Sequence, residues 1–160
     1  MAQHMQKILM GRRSKSSLRN SSNLAAEFYV ASLLYRLGYT ATITLRHTKE
    51  IDIVVYDEKT KRTVTIDVKG LKNTTNWVMP DESKLSPRKT HFFALVTFRN
   101  KIRDLSAVPE VFFVPSTRVK ELWSPWSGKP EVKCIEYKNV SKHAEFKDLS
   151  GIRQFFPHRS

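Results

Sequence analysis

The spacing of apolar residues changes as this 160-residue chain is read from its N-terminus. In NLAAEFYVASLLYRLGY the apolar positions Leu24, Phe28, Ala31, Leu34 and Leu37 fall three or four apart. That spacing predicts a helix starting at Ser22 or Asn23, either an acceptable N-cap, and ending at Gly38, where the chain can turn left-handed. Glu27 sits at the edge of the stripe, a poor place for a carboxylate without a task. Beyond Gly38 the period drops to two. TATITLR (40–46), IDIVVY (51–56) and TVTIDVK (63–69) are rich in Val, Ile and Thr and read as three successive strands.

The stretch 72–90 is polar and loop-like, with Trp77, Pro80 and Pro87. HFFALVTF (91–98) and EVFFVP (110–115) are nearly continuous apolar runs, as expected of central strands covered on both faces. Helices are expected in STRVKELW, capped by Ser116 or Thr117, and in SKHAEFKDL after Ser141, with a late strand over 132–137. The order of elements predicts an α/β or α+β sandwich with a mixed sheet.

An antiparallel hairpin of 51–56 and 63–69 has a preferred register. If the turn is centred between Lys59 and Thr60, opposed residue numbers sum to 119. Ile51 then faces Val68, Ile53 faces Ile66 and Val55 faces Val64, giving one aliphatic face, and a slip by one residue would turn that face outward. The other face pairs Glu50 with Lys69, Asp52 with Asp67, Val54 with Thr65 and Tyr56 with Thr63. Two aspartates directly opposed repel each other at Cβ separations of about 4.5–5.5 Å. Either Lys69, diagonal to Asp52, neutralises them, or a divalent cation lies between them, as clustered carboxylates favour. The plainer alternative is a solvated face with cross-strand ion pairs, above all Glu50 with Lys69.

Charge narrows the partners. Lys and Arg number 28 against 15 Asp and Glu, a formal net charge of +13. Such an excess favours a polyanion, and nucleic acid is the commonest one inside a cell. No amphipathic basic helix suggests a membrane surface, and no apolar run approaches the ~18 residues of a membrane span. The single cysteine, Cys134, excludes an internal disulfide framework and a cysteine-based zinc site, which favours a reducing, cytoplasmic compartment. The absence of a phosphate-cradling glycine loop and of a serine nucleophile elbow argues against a nucleotide cofactor or an esterase. The chain is expected to comprise a flexible basic arm over 1–22, or a merely fraying start, and one domain over 23–160.

Glu27 on a helix, Asp52 starting a strand and Asp67-Val68-Lys69 ending the next together resemble the PD-(D/E)XK nuclease superfamily, which includes restriction enzymes and Holliday-junction resolvases. The likeness spans about residues 23–98; Ile51 stands where the motif name has proline. The resemblance implies a restriction-endonuclease-like αβββαβ core, a mixed central β-sheet flanked by helices. It also implies a DNA endonuclease, acting on duplex or branched DNA, that uses Mg2+, with Mn2+ able to substitute, and works as a homodimer where both strands are cut. Asp52, Asp67 and the backbone carbonyl of Val68 would bind the metal. Glu27 would join the metal shell directly or through water, and Lys69 would orient or help deprotonate the attacking water. Lys72, Lys84, Arg88, Lys89, Arg12 and Arg13 are candidate phosphate contacts. Glu50, His91 and Trp77 are possible auxiliaries. Glu50 more simply pairs with Lys69, His91 more simply marks a polar strand boundary, and Trp77 either stacks on a base or anchors its loop. Trp123 and Trp126, around Pro125, read as packing residues. The rival readings are a nuclease-fold module that binds nucleic acid without cutting it, and a basic RNA-binding assembly protein.

Overall fold

The computed structural model describes residues 15–44, 51–85 and 87–156. Among them one long helix, α1 (Lys15–Arg36), precedes β1 (Thr40–Ile43), β2 (Ile53–Asp57) and β3 (Arg62–Leu71). Then come β4 (Asn76–Val78), β5 (His91–Thr97), β6 (Glu110–Pro115), β7 (Trp123–Trp126), β8 (Lys129–Glu136) and two short helices, α2 (Tyr137–Val140) and α3 (Asp148–Arg153). The protein is α/β, with a mixed five-stranded sheet in the order β1-β2-β3-β5-β6 and a small antiparallel sheet in the order β4-β8-β7. In the large sheet only β3 and β5 run parallel.

The register of the β2–β3 hairpin follows the aliphatic alternation. Ile53 pairs with Ile66, Val54 with Thr65, Val55 with Val64 and Tyr56 with Thr63, with Asp57 opposite Arg62 closing the turn. Ile53, Val55, Val64 and Ile66 are all buried. Each contributes about 1.5–3 kcal/mol by leaving water, which a one-residue slip would forfeit.

β5 and β6 divide their side chains between two cores, as strands covered on both faces must. Phe92, Ala94, Val96 and Phe113 join α1, β2 and β3, together with Ile152, Phe155 and Phe156 around α3. Phe93, Leu95, Phe112 and Val114 join Trp77, Met79, Ile135 and Phe146 on the other side. The second face is therefore covered by the small sheet, 3-10 turns and the single turn of α2, so the expected flanking of the sheet by helices is corrected to one substantial helix, on one side. Both later helices are shorter than expected. STRVKELW forms a 3-10 turn over Val119–Leu122, and SKHAEFKDL gives another over Ala144–Phe146 before α3. The parallel crossover from β3 to β5 runs through β4 and a 3-10 turn at Glu82–Lys84, where the αβββαβ pattern would place a helix.

The long helix also corrects its own expected face. It begins at Lys15, inside the segment expected to be a basic arm. Ala26, Val30, Ala31 and Leu34 are buried, while Leu24, Phe28 and Leu37 are exposed, at 38%, 59% and 38%. Glu27 lies one turn before Val30 and Ala31 and is half-buried, at the edge of the buried face. The two stripes share Ala31 and Leu34, and the buried one adds Ala26 and Val30, which let α1 approach β3 closely.

Candidate active site

The site forms where β2 leaves β3. Ile66 is the partner of Ile53, yet the Asp52 N–H also donates to the Ile66 carbonyl, at 2.9 Å. Two residues of one strand therefore address one residue of the other, the arrangement of a β-bulge, which bends a strand and re-aims its side chains. The expected pairing of Ile51 with Val68 and of Asp52 with Asp67 is not made in the ladder. Instead Asp52 turns its carboxylate into the place of the missing strand: Val68 N–H donates to Asp52 Oδ2 at 2.7 Å. The next N–H along this edge, that of Gly70, donates to Asn23 Oδ1 of α1 at 2.8 Å. Two side chains thus satisfy an edge that a third strand would otherwise pair. By strand alternation the Val68 carbonyl points to the same open edge.

The bulge still brings the two acids together. Asp67 is 5% exposed, and it lines one cavity with Asp52, whose like charge acts on it. Lys69 Nζ donates to Asp67 Oδ1 at 2.9 Å. Burial pushes the Asp67 carboxyl up; Lys69 pulls it back, Asp52 pushes it further, and it settles at about 7. One lysine does not balance two crowded acids. The expected cross-strand pair of Lys69 with Glu50 falls on a residue outside the described ones, as do Arg12 and Arg13.

Asp52, Asp67, Val68 and Lys69 open into a cavity of about 560 Å3, closed by Asn23 and Glu27 of α1 and by Pro80 and Lys84. Glu27 is half-buried in that wall. Among the described residues no three His, Cys, Asp or Glu side chains converge tightly enough to form a metal cluster by themselves. The oxygen donors on one edge are therefore two carboxylates and a backbone carbonyl, with Glu27 across the cavity. That is a hard donor set of the kind Mg2+ accepts alongside water.

Two residues that fix this geometry, Gly70 and Asn23, escape sequence reasoning. A Cβ at Gly70 would lie 2.3 Å from the Ser22 carbonyl oxygen and 2.9 Å from Asn23 Cα. Gly70 is the residue that lets α1 touch β3 and so sets Glu27 over the carboxylates. Its signal is a glycine inside a strand, which marks close backbone approach. Asn23, acceptable by sequence as a helix cap, caps a strand edge instead.

The other candidates separate. Lys84 lines the carboxylate cavity and Lys72 an adjoining one. Arg88 and His91 border a narrow crevice behind Asp67, while Lys89 is exposed in the turn before β5. His91 is buried, its Nδ1 2.9 Å from Thr65 Oγ1. Burial, then the Arg88 and Lys69 charges, lower its pKa to about 4, so the ring is neutral near pH 7. Trp77 is 2% exposed and its Nε1–H donates to the Val96 carbonyl at 3.1 Å. It anchors the small sheet on the large one and presents no free face to a base.

No family model matches the chain, and no curated protein is similar to it. A buried acid beside a second acid, with a lysine on the same strand and an open cavity in front, can hold a divalent cation and present it to an anionic ligand.

Proposed function

We propose that the protein is a Mg2+-dependent DNA endonuclease of the PD-(D/E)XK type, its α1–β1–β2–β3 unit and β5 serving as a restriction-endonuclease-like core. The observation that carries this reading is the convergence of Asp52 and Asp67 beside Lys69 in an open cavity, in a chain of net charge +13. Asp52, Asp67 and the Val68 carbonyl would hold the ion, with Glu27 reaching it directly or through water. When bound, Mg2+ would supply hydroxide at neutral pH and neutralise the charge that builds on the phosphate during hydrolysis. Lys69, released from the acid that the metal takes over, would direct its Nζ protons to the attacking water or the phosphate. Lys84, at the cavity rim, would bind the neighbouring phosphate. A homodimer follows where both strands of a duplex are cut.

One observation favours binding without cleavage: Asp52 already serves as acceptor for the Val68 N–H, and Asp67 already has a lysine partner. The two readings part on a single experiment. Supercoiled, linear, branched and single-stranded DNA are incubated with Mg2+ or with EDTA, using wild type and Asp67→Asn, and the thermal midpoint is followed as Mn2+ is added. The nuclease reading expects metal-dependent cleavage and a Mn2+-induced rise in midpoint, both lost in Asp67→Asn. A wild type that cuts nothing under either metal sinks it.

A further inference from the structure

A second, larger cavity of about 1090 Å3 adjoins the carboxylate site, and Asn23 and Lys69 border both. Ser22 and Asn23 of α1 line one side, the end of β7 and the residue after it, 125–127, line another, and residues 71–78 line the rest. Three lysines line it, Lys69, Lys72 and Lys138, against one acid, Glu136, which Lys138 already neutralises at 2.7 Å. The 71–78 lining is fixed: Asn73 Oδ1 accepts from the Thr75 N–H at 3.2 Å and from Thr75 Oγ1 at 2.8 Å, and the Asn73 carbonyl accepts from Thr97 Oγ1. On the β7 side the β7–β8 ladder shifts register between Pro125 and Trp126. Such an irregularity re-aims a side chain, and it leaves the Trp126 indole half-buried against the groove.

We propose that this groove is the track for a single-stranded nucleic-acid segment leading out of the carboxylate site, with Trp126 stacking on a base and Lys72 holding a phosphate. The proposal rests on the nuclease reading and deepens it, since it makes the preferred substrate a DNA that carries a single-stranded arm. Volume supports a strand over a duplex. The groove is only slightly larger than small-ligand pockets of roughly 300–1,000 Å3, and it is walled on two sides. An aromatic face beside a basic, hydrogen-bonding lining is the combination that binds single strands with little sequence preference. Continuity with the carboxylate cavity through Lys69 gives the strand a direct path to the site.

The test uses the full chain in EDTA, so that binding is read without cleavage. A fluorescein-labelled oligothymidylate of about 12 nucleotides, within the site sizes of single-strand binders, is titrated by anisotropy beside a blunt duplex of equal length. Trp126→Ala is expected to weaken oligothymidylate binding about tenfold and Trp126→Phe to restore most of it. Lys72→Ala, at an exposed position, lowers the slope of log affinity against log salt by about 0.7. The duplex binds more weakly and is indifferent to Trp126→Ala. Wild-type affinity in both Trp126→Ala and Lys72→Ala, or equal loss for the duplex, overturns the track. Oligomer binding with these sensitivities in a protein that cuts nothing with Mg2+ would keep the groove and remove the nuclease; cleavage with insensitive groove variants would do the reverse.

Discussion

Asp57 and Asp67 lie at opposite ends of the same hairpin, both buried, and they have opposite surroundings. Asp57 is 0% exposed and accepts from the Lys59 N–H at 3.2 Å and from Thr60 Oγ1 at 2.8 Å, both within its own turn. Asp67 is 5% exposed and meets a lysine, a second acid and a cavity. One carboxylate is satisfied by groups two and three residues away. The other is brought, through a bulge and a helix contact, against a charge of its own sign. Burial of an acid therefore says little about function by itself; the identity of its partners, and whether space remains in front of them, does.

The sharpest way to break the comparison is to neutralise each acid in turn. Asp67→Asn is expected to lower Mg2+-dependent cleavage by at least about 10²–10³-fold while the protein unfolds at an equal or higher temperature at pH 8, because a buried charge has been removed. Asp57→Ala should do the opposite: stability falls by about 1–3 kcal/mol, as expected when buried turn donors lose their acceptor, and cleavage per folded molecule holds. Cleavage rates and urea midpoints on the same two samples decide it. Loss of activity in Asp57→Ala at full folding would show that the two ends are not separable.

Titration gives the next largest effect. The Asp67 carboxyl is raised from 3.8 to about 7, so between about pH 4 and 7 the folded chain keeps a proton that the unfolded chain releases, and this contribution to stability is lost as pH rises. His91 is lowered from 6.5 to about 4, so over most of that window the unfolded chain binds the extra proton, and this contribution is lost as pH falls. The two slopes oppose each other. Relative to wild type, Asp67→Asn should make stability climb more steeply from pH 4.5 to 6.5, and His91→Gln should make it fall more steeply, each by about 1–3 kcal/mol across the window. Urea unfolding at four pH values suffices. Parallel curves for all three proteins would mean that neither group holds its assigned protonation state.

How much of this is legible in the sequence depends on the range of the interactions. The hairpin register follows from Ile53, Val55, Val64 and Ile66 because burial of a period-two face is a local rule. The bulge at Asp52 is not legible. It arises from competition at the open edge of β3, where the side chains of Asp52 and of Asn23 on α1 take the place of a continuing strand as acceptors. The face of α1 is legible only in part, at Ala31 and Leu34, for a related reason. Leu24, Phe28 and Leu37 form the more hydrophobic stripe, yet contact with Gly70 demands close approach, and Ala26 and Ala31 allow it. β4 and β7 are three and four residues long, too short for a period to show, and β7 contains Pro125. Convergence of Asp52 with Asp67 is expected from a register that the strand itself does not keep; the side chains meet by a different route.

Gly70 tests the long-range half of the comparison. Gly70→Ala places a methyl 2.3 Å from the Ser22 carbonyl oxygen, a contact that only movement of α1 can relieve. Overpacking of this kind costs about 1–3 kcal/mol. Because α1 carries Asn23 and Glu27, the loss should extend to cleavage and to the Mn2+-induced rise in thermal midpoint. A variant that loses stability but keeps full metal response would place the Gly70 contact outside the site.

Lys61 tests the local half, with the smallest effect. In the turn that Asp57 organises, Lys61 has φ 56, a left-handed conformation that costs a side-chain-bearing residue about 1–2 kcal/mol. Glycine adopts it freely but loses more backbone entropy on folding, by roughly 0.5–1 kcal/mol. The difference leaves Lys61→Gly more stable than wild type by up to about 1 kcal/mol, read as a higher urea midpoint at unchanged slope. Because the turn reaches the carboxylates only along the length of β3, cleavage and metal response should match wild type within error. A turn variant that altered either would show strain passing down the strand from one aspartate to the other, and the two ends of the hairpin would have to be treated as one device.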